Sequence, residues 1–164
     1  MGFRVRQIEL DDLAGFRAAL QRVAAEKKYL LTVEPPSLEN MEAYVRHNVE
    51  QNHAQYVAVV EQQIVGWADI IPHVRESVRH VARLGMGVLP EFRGQGIGNQ
   101  LLERAMAHAW EQGLKRLELE VFADNEVALN LYRKHGYQVE GVKRFARCLD
   151  GVYQDIVIMG QYRV

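Results

Sequence analysis

Apolar positions along this chain change period several times, and each change marks an element. Residues 4–9 alternate in the manner of a half-buried strand. Leu13, Phe16, Leu20 and Val23 then recur at helical spacing, with Asp11 or Asp12 placed to cap the helix they define. Pro35 and Pro36 exclude helix from the end of the following stretch, because proline lacks an N–H and restricts the residue before it. Ser37 opens a second helix with Leu38, Met41, Val45 and Val49 inward. Residues 55–60 and 64–71 read as a strand pair about the turn Glu61-Gln62-Gln63, and residues 80–89 give another strand.

The second half repeats this alternation. A helix to about residue 112 carries Ile97, Leu101, Leu102, Ala105, Met106, Ala109 and Trp110 on its apolar side. Leu117, Leu119 and Val121 mark a strand over 116–121, and Asp124 is placed to cap a short helix ending at Gly136. Strands near 137–147 and 152–161 are joined through Asp150-Gly151, a strong hairpin signal. The predicted order, β-α-α-β-β-β-α-β-α-β-β, describes an α/β (α+β) fold. A mixed sheet of about seven strands carries flanking helices and a C-terminal hairpin, all in a single domain spanning residues 1–164.

Composition narrows the class without naming a function. With 164 residues, 48% hydrophobic and 25% charged, the chain has the profile of one soluble globular domain. A net charge of -1 argues against a broad nucleic-acid-binding face. No apolar run approaches the roughly 20 residues of a membrane span, and no signal-peptide core follows the N-terminus. Cys148 is the single cysteine and no Cys/His cluster has zinc spacing, so a cytoplasmic, metal-free protein is expected. Cys148 reads either as an inert strand residue or as a nucleophile.

The chemistry concentrates in Arg93-Gly94-Gln95-Gly96-Ile97-Gly98, directly before the long helix. A glycine-rich turn opening a helix offers unpaired N–H groups and a partial positive charge, which suits a phosphate or pyrophosphate. Arg93 adds a possible bidentate donor to the same anion. A P-loop would need Lys after its last glycine, and none follows Gly98. A dinucleotide fingerprint would need glycine where Asn99 stands, although Glu118 and Glu120 lie near the distance of a ribose-binding acid.

Arg93-x-x-Gly96-x-Gly98 instead matches the Q/R-x-x-G-x-G/A motif that cradles the pyrophosphate of acetyl-coenzyme A in the GCN5-related N-acetyltransferases. The run 84–93 resembles that family's fourth strand and following loop, and 125–137 resembles its N-x-x-A-x-x-x-Y-x-x-x-G-F/Y segment. The order of elements agrees with the family from end to end. The C-terminal Arg147, Asp150-Gly151, Tyr153 and Asp155, together with Thr32-x-Glu34-Pro35-Pro36, resemble the branch of small bacterial amino-acid N-acetyltransferases.

The resemblance implies an acetyl-CoA-dependent enzyme acting on a small primary amine, an amino acid or analogue. Acetylation of protein N-termini and a silent acyl-CoA sensor are the alternatives. It implies that Gly94, Gln95, Gly96, Ile97 and Gly98, with Arg93, hold the pyrophosphate. Met86 and Val88 would offer backbone groups to the pantetheine arm and acetyl carbonyl, and Asn125 would bind the pantetheine amide unless it caps a helix. Tyr132 would be the general acid to the leaving thiolate, or else a core tyrosine. Many relatives place the general base, a Glu, in the fourth strand, where residues 80–84 offer none. Glu34 is the first candidate, as base or as ammonium binder, with Asp69 and His80 behind it. Five arginines (75, 79, 83, 144 and 147) are available for a substrate carboxylate. The C-terminal hairpin makes a homodimer the expected assembly.

Overall fold

The computed structural model describes residues 2–164. The strands are β1 (Arg4–Gln7), β2 (Ala54–Val60), β3 (Gln63–Pro72), β4 (Val81–Val88), β5 (Arg116–Phe122), β6 (Gln138–Leu149) and β7 (Val152–Tyr162). The helices are α1 (Leu13–Ala25), α2 (Leu38–Glu50), α3 (Ile97–Glu111) and α4 (Glu126–Lys134). All seven strands form one sheet in the order β1-β2-β3-β4-β5-β7-β6. Every pairing is antiparallel except β4 with β5. That parallel pair is connected through α3, as parallel neighbours require a crossover.

Helices cover both faces. On one, Phe16 of α1 meets Trp67 of β3 edge-to-face, with ring centroids 5.9 Å apart. On the other, a Cβ placed on Gly66 of β3 would lie 3.1 Å from Leu101 of α3, so the helix packs closely where glycine gives it room. Ile97, Leu101, Leu102, Ala105, Met106 and Ala109 of α3 are all buried, the face their spacing predicts. Each of the larger side chains contributes about 1.5–3 kcal/mol by leaving water.

Leu38 and Val49 of α2, expected inward, are exposed, and only Met41 and Val45 of that set are buried. Three further local features differ from the pattern expected of the sequence. Asn125, not Asp124, caps α4: its side chain accepts from the Ala128 N–H at 3.2 Å. Asp124 instead accepts from Gln154 across the β7 strand. Asp12 precedes α1 without a side-chain cap bond, because Arg6 takes its carboxylate at 2.6 and 2.8 Å. Strand β6 runs on to Leu149 through an irregularity between Lys143 and Arg147, where Phe145 adopts φ 52°. The hairpin turn itself forms as its sequence predicts, with Asp150 and Gly151 both at positive φ. Phe145, Val152 and Tyr153 leave an apolar outer surface on this hairpin. Among the described residues, no helix is long and apolar enough to cross a membrane.

Candidate active site

The parallel pairing of β4 and β5 stops early. Only Val81–Arg83 pair with Arg116–Glu118, while β4 stays paired with β3 to Val88 and β5 stays paired with β7 to Phe122. The two central strands therefore separate, and a cleft of about 1100 Å³ occupies the gap. Strand alternation shows which backbone groups face it. The Leu89 N–H bonds Val65 O and the His73 N–H bonds Val81 O, so odd-numbered residues of β4 turn their polar groups toward β3. Met86 and Val88 turn theirs toward the gap.

The glycine turn forms the end of this cleft. Gly94 and Gly96 take φ values of 75° and 85°, the left-handed region in which other residues are strained. The first α3 hydrogen bond runs from the Gln100 N–H to Gly96 O. Among the described residues, the N–H groups of residues 94–99 have no backbone acceptor. Six consecutive free donors at the N-terminus of a 15-residue helix make a cradle for an anion. Gly98 has a different role: its missing Cβ would lie 3.6 Å from Met86 Cε and 3.7 Å from Leu131 Cδ2, in ordinary contact. Gln95 turns away from the cleft, its side chain near Glu91 O.

Arg93 corrects an expectation. Its guanidinium is held by Glu26 through two bonds of 3.0 and 2.6 Å, its Nε donates to Val88 O at 2.9 Å, and it lies 4.7 Å from the Tyr29 ring centroid. A fork committed to a carboxylate has little left for a phosphate. Arg93 instead locks the glycine turn to β4 and to the end of α1. The anion cradle is left to backbone amides.

Tyr132 of α4 is buried against Tyr137, with ring centroids 6.0 Å apart, and lines the cleft. Burial pushes its phenol up to about 12. Asn125 lines the same wall and uses its oxygen to cap α4, so both roles considered for it are compatible. Asn99 accepts from His135 at 2.8 Å and from Lys134 at 3.3 Å, tying the start of α3 to the end of α4. Spacing alone did not single out Asn99; its position where a dinucleotide fold has glycine was the available signal.

The cleft reaches both faces of the sheet. Gly98, Asn125 and Tyr132 line it on the α3–α4 side, while Tyr29, Leu30, Thr32, Trp67 and Gly85 line it on the α1–α2 side. Glu34 is exposed in the segment between α1 and α2 and does not line the cleft. His80 is exposed, and its carbonyl accepts from the Lys115 and Arg116 N–H groups. Of the five arginines noted from sequence, Arg83 alone lines the cleft, paired with Glu120 at 3.0 Å. Cys148 is exposed on β6, outside the cleft.

The family described as "Acetyltransferase (GNAT) family" matches residues 17–137. The chain is 31% identical over 111 residues to an L-amino acid N-acetyltransferase of Escherichia coli, covering 66% of this chain and 68% of that protein. The fold is similar to that of a GNAT-family acetyltransferase from Streptococcus pneumoniae, with a TM-score of 0.91 and 28% identity over 99% of this chain and 100% of the other. It is equally similar, at a TM-score of 0.91 and 20% identity, to a phosphinothricin acetyltransferase of Sinorhizobium meliloti in complex with AcCoA, covering 99% of this chain and 89% of that one. The separated central strands, the amide cradle and these similarities have one explanation: the chain belongs to the GNAT acetyltransferase family.

Proposed function

We propose that this acetyltransferase moves the acetyl group of acetyl-CoA to the primary amine of a small molecule, an amino acid or close analogue. The observation that carries the reading is the meeting of six unpaired N–H groups at residues 94–99 with the outward-facing backbone of Met86 and Val88 in one cleft. Those donors fit a pyrophosphate, and the narrow gap between β4 and β5 fits an extended arm carrying amide groups. Bound there, acetyl-CoA supplies an acyl group activated as a thioester.

The chain's own residues then divide the work. Residues 94–99 hold the charged end, and the Met86 and Val88 backbone donors orient the acyl carbonyl and stabilise charge on its oxygen. Tyr132 holds a proton at its hydroxyl for the leaving sulfur. Trp67, Val121 and Leu131 exclude water from the same space. Arg83, half-exposed on the cleft wall, offers a cation to the carboxylate of an amino acid. The apolar outer surface of the hairpin is the region we assign to a second copy of this chain, which light scattering at micromolar concentration tests.

A screen for CoA release over L-amino acids, spermidine and N-terminal peptides tests the acceptor. Release with one or more amino acids is the expected result. Release with peptides alone would move the assignment to protein N-termini. Acetyl-CoA binding without release from any amine would make the chain a sensor.

A further inference from the structure

Glu34 lies outside the cleft, and Glu120 on the cleft wall is held by Arg83 and Lys143, so neither is a free proton acceptor for the amine. Asp69 of β3 meets that need by position. It pairs in register with Gly85 of β4 on one side and Gln55 of β2 on the other. A Cβ on Gly85 would lie 3.2 Å from Asp69 Oδ1. Gly85 has no positive φ that would demand glycine, so its missing side chain serves the space that this carboxylate occupies. Gly85 itself lines the cleft, which puts Asp69 immediately behind its wall.

The surroundings of Asp69 are polar but uncharged. No hydrogen bond or cation engages its carboxylate among the described residues, and burial pushes it up to about 7. From α2, Tyr44 is the titratable group that senses its charge. From β2, Gln55 is 1% exposed; its oxygen accepts from Asn48 Nδ2 at 3.0 Å, and Asn48 is in turn bonded to His53 at 3.1 Å. Among the described residues, the Gln55 Nε2 is buried without any acceptor. A buried amide donor with no partner, directly across from an unpaired carboxylate, marks a place built for a further polar group. Cross-strand neighbours of this kind lie about 5 Å apart at Cβ.

We propose that Asp69 receives the acceptor: its carboxylate binds the ammonium of a primary amine entering past Gly85 and takes one proton from it, directly or through one water. This rests on the transferase reading above. The neutral nitrogen then forms the C–N bond while the C–S bond breaks. The sulfur leaves with the proton of Tyr132, the second N–H proton returns to Tyr132 through water, and Asp69 releases its proton to solvent.

Asp69→Asn keeps the shape and removes the proton acceptor. With the fastest amine of the screen, kcat/KM is expected to fall by about 100-fold or more, with acetyl-CoA affinity within twofold of wild type. The acidic limb of the wild-type profile, centred near pH 7, is expected to vanish from the variant. Its remaining rate should rise with pH as free amine becomes available.

Two readouts need no turnover. The carbon-13 resonance of the Asp69 carboxyl should titrate near 7 in the free protein. Because folding raises this group above its unfolded value of about 3.8, its stabilising effect is complete below pH 4 and is lost as pH rises to about 7. Asp69→Asn should therefore gain melting temperature over wild type across that window, with the lead level above it. A variant within threefold of wild type with the acidic limb intact overturns the proposal, as does a carboxyl titrating in the ordinary aspartate range. If no amine releases CoA, the transferase reading fails separately and the carboxyl titration still decides for Asp69.

Discussion

Replacing Tyr132 by Phe is expected to lower kcat by about 100- to 1,000-fold at neutral pH, the usual scale of a lost general acid. Melting temperature and acetyl-CoA affinity should stay near wild type. The ring does the packing, against Tyr137 at 6.0 Å, and that packing survives the substitution. Tyr132 lines the cleft with its phenol pushed up to about 12, so it keeps its proton throughout the physiological range. A thiolate released into the same apolar space is raised in basicity by the same desolvation, which makes it a base able to take that proton. Steady-state CoA release with a melting curve separates the roles. Unchanged turnover by a folded variant would reduce Tyr132 to a core residue.

Gly87→Ala is expected to damage both fold and site. A Cβ there would lie 2.4, 2.8 and 2.9 Å from three atoms of the Trp67 ring. The ring has no room to retreat, being 4% exposed and held edge-to-face by Phe16 of α1. Overpacking of this kind costs about 1–3 kcal/mol, or roughly 2–12 °C in a domain of this size. The strand that must yield is β4, so acetyl-CoA affinity should fall with stability. Gly98→Ala is the control, since its Cβ would make only ordinary contacts beginning at 3.6 Å. Thermal melts of the two variants check the contrast; a Gly87→Ala protein as stable as Gly98→Ala would contradict it.

Local patterns foretold much of this molecule. The alternation of apolar periods placed the helices and strands, and Gly94-x-Gly96 announced a turn that needs positive φ. Tyr132 was legible because helical spacing set it on the inner face of α4. What stayed hidden depends on distant partners. Arg93 looked like an anion ligand because nothing near it in sequence shows that Glu26, 67 residues away, takes its guanidinium. Asp124 and Asn125 are both capping types at adjacent positions, and only the approach of Gln154 from β7 distinguishes them. Asp69 ranked behind Glu34 from sequence alone, and only the register with Gly85 puts it behind the cleft wall. Glu34 carried the right charge beside two prolines, yet the segment turns it to solvent.

The proposed acetyl-CoA site depends most on the backbone cradle, which no side-chain substitution removes cleanly. Amide hydrogen exchange of residues 94–99, followed with and without acetyl-CoA, reads it directly. These amides are free of backbone acceptors and should exchange quickly in the protein alone, then slow by about tenfold or more when acetyl-CoA is added, the scale expected of newly hydrogen-bonded amides. Saturating acetyl-CoA that leaves their exchange unchanged would contradict the assignment of this turn as the pyrophosphate site.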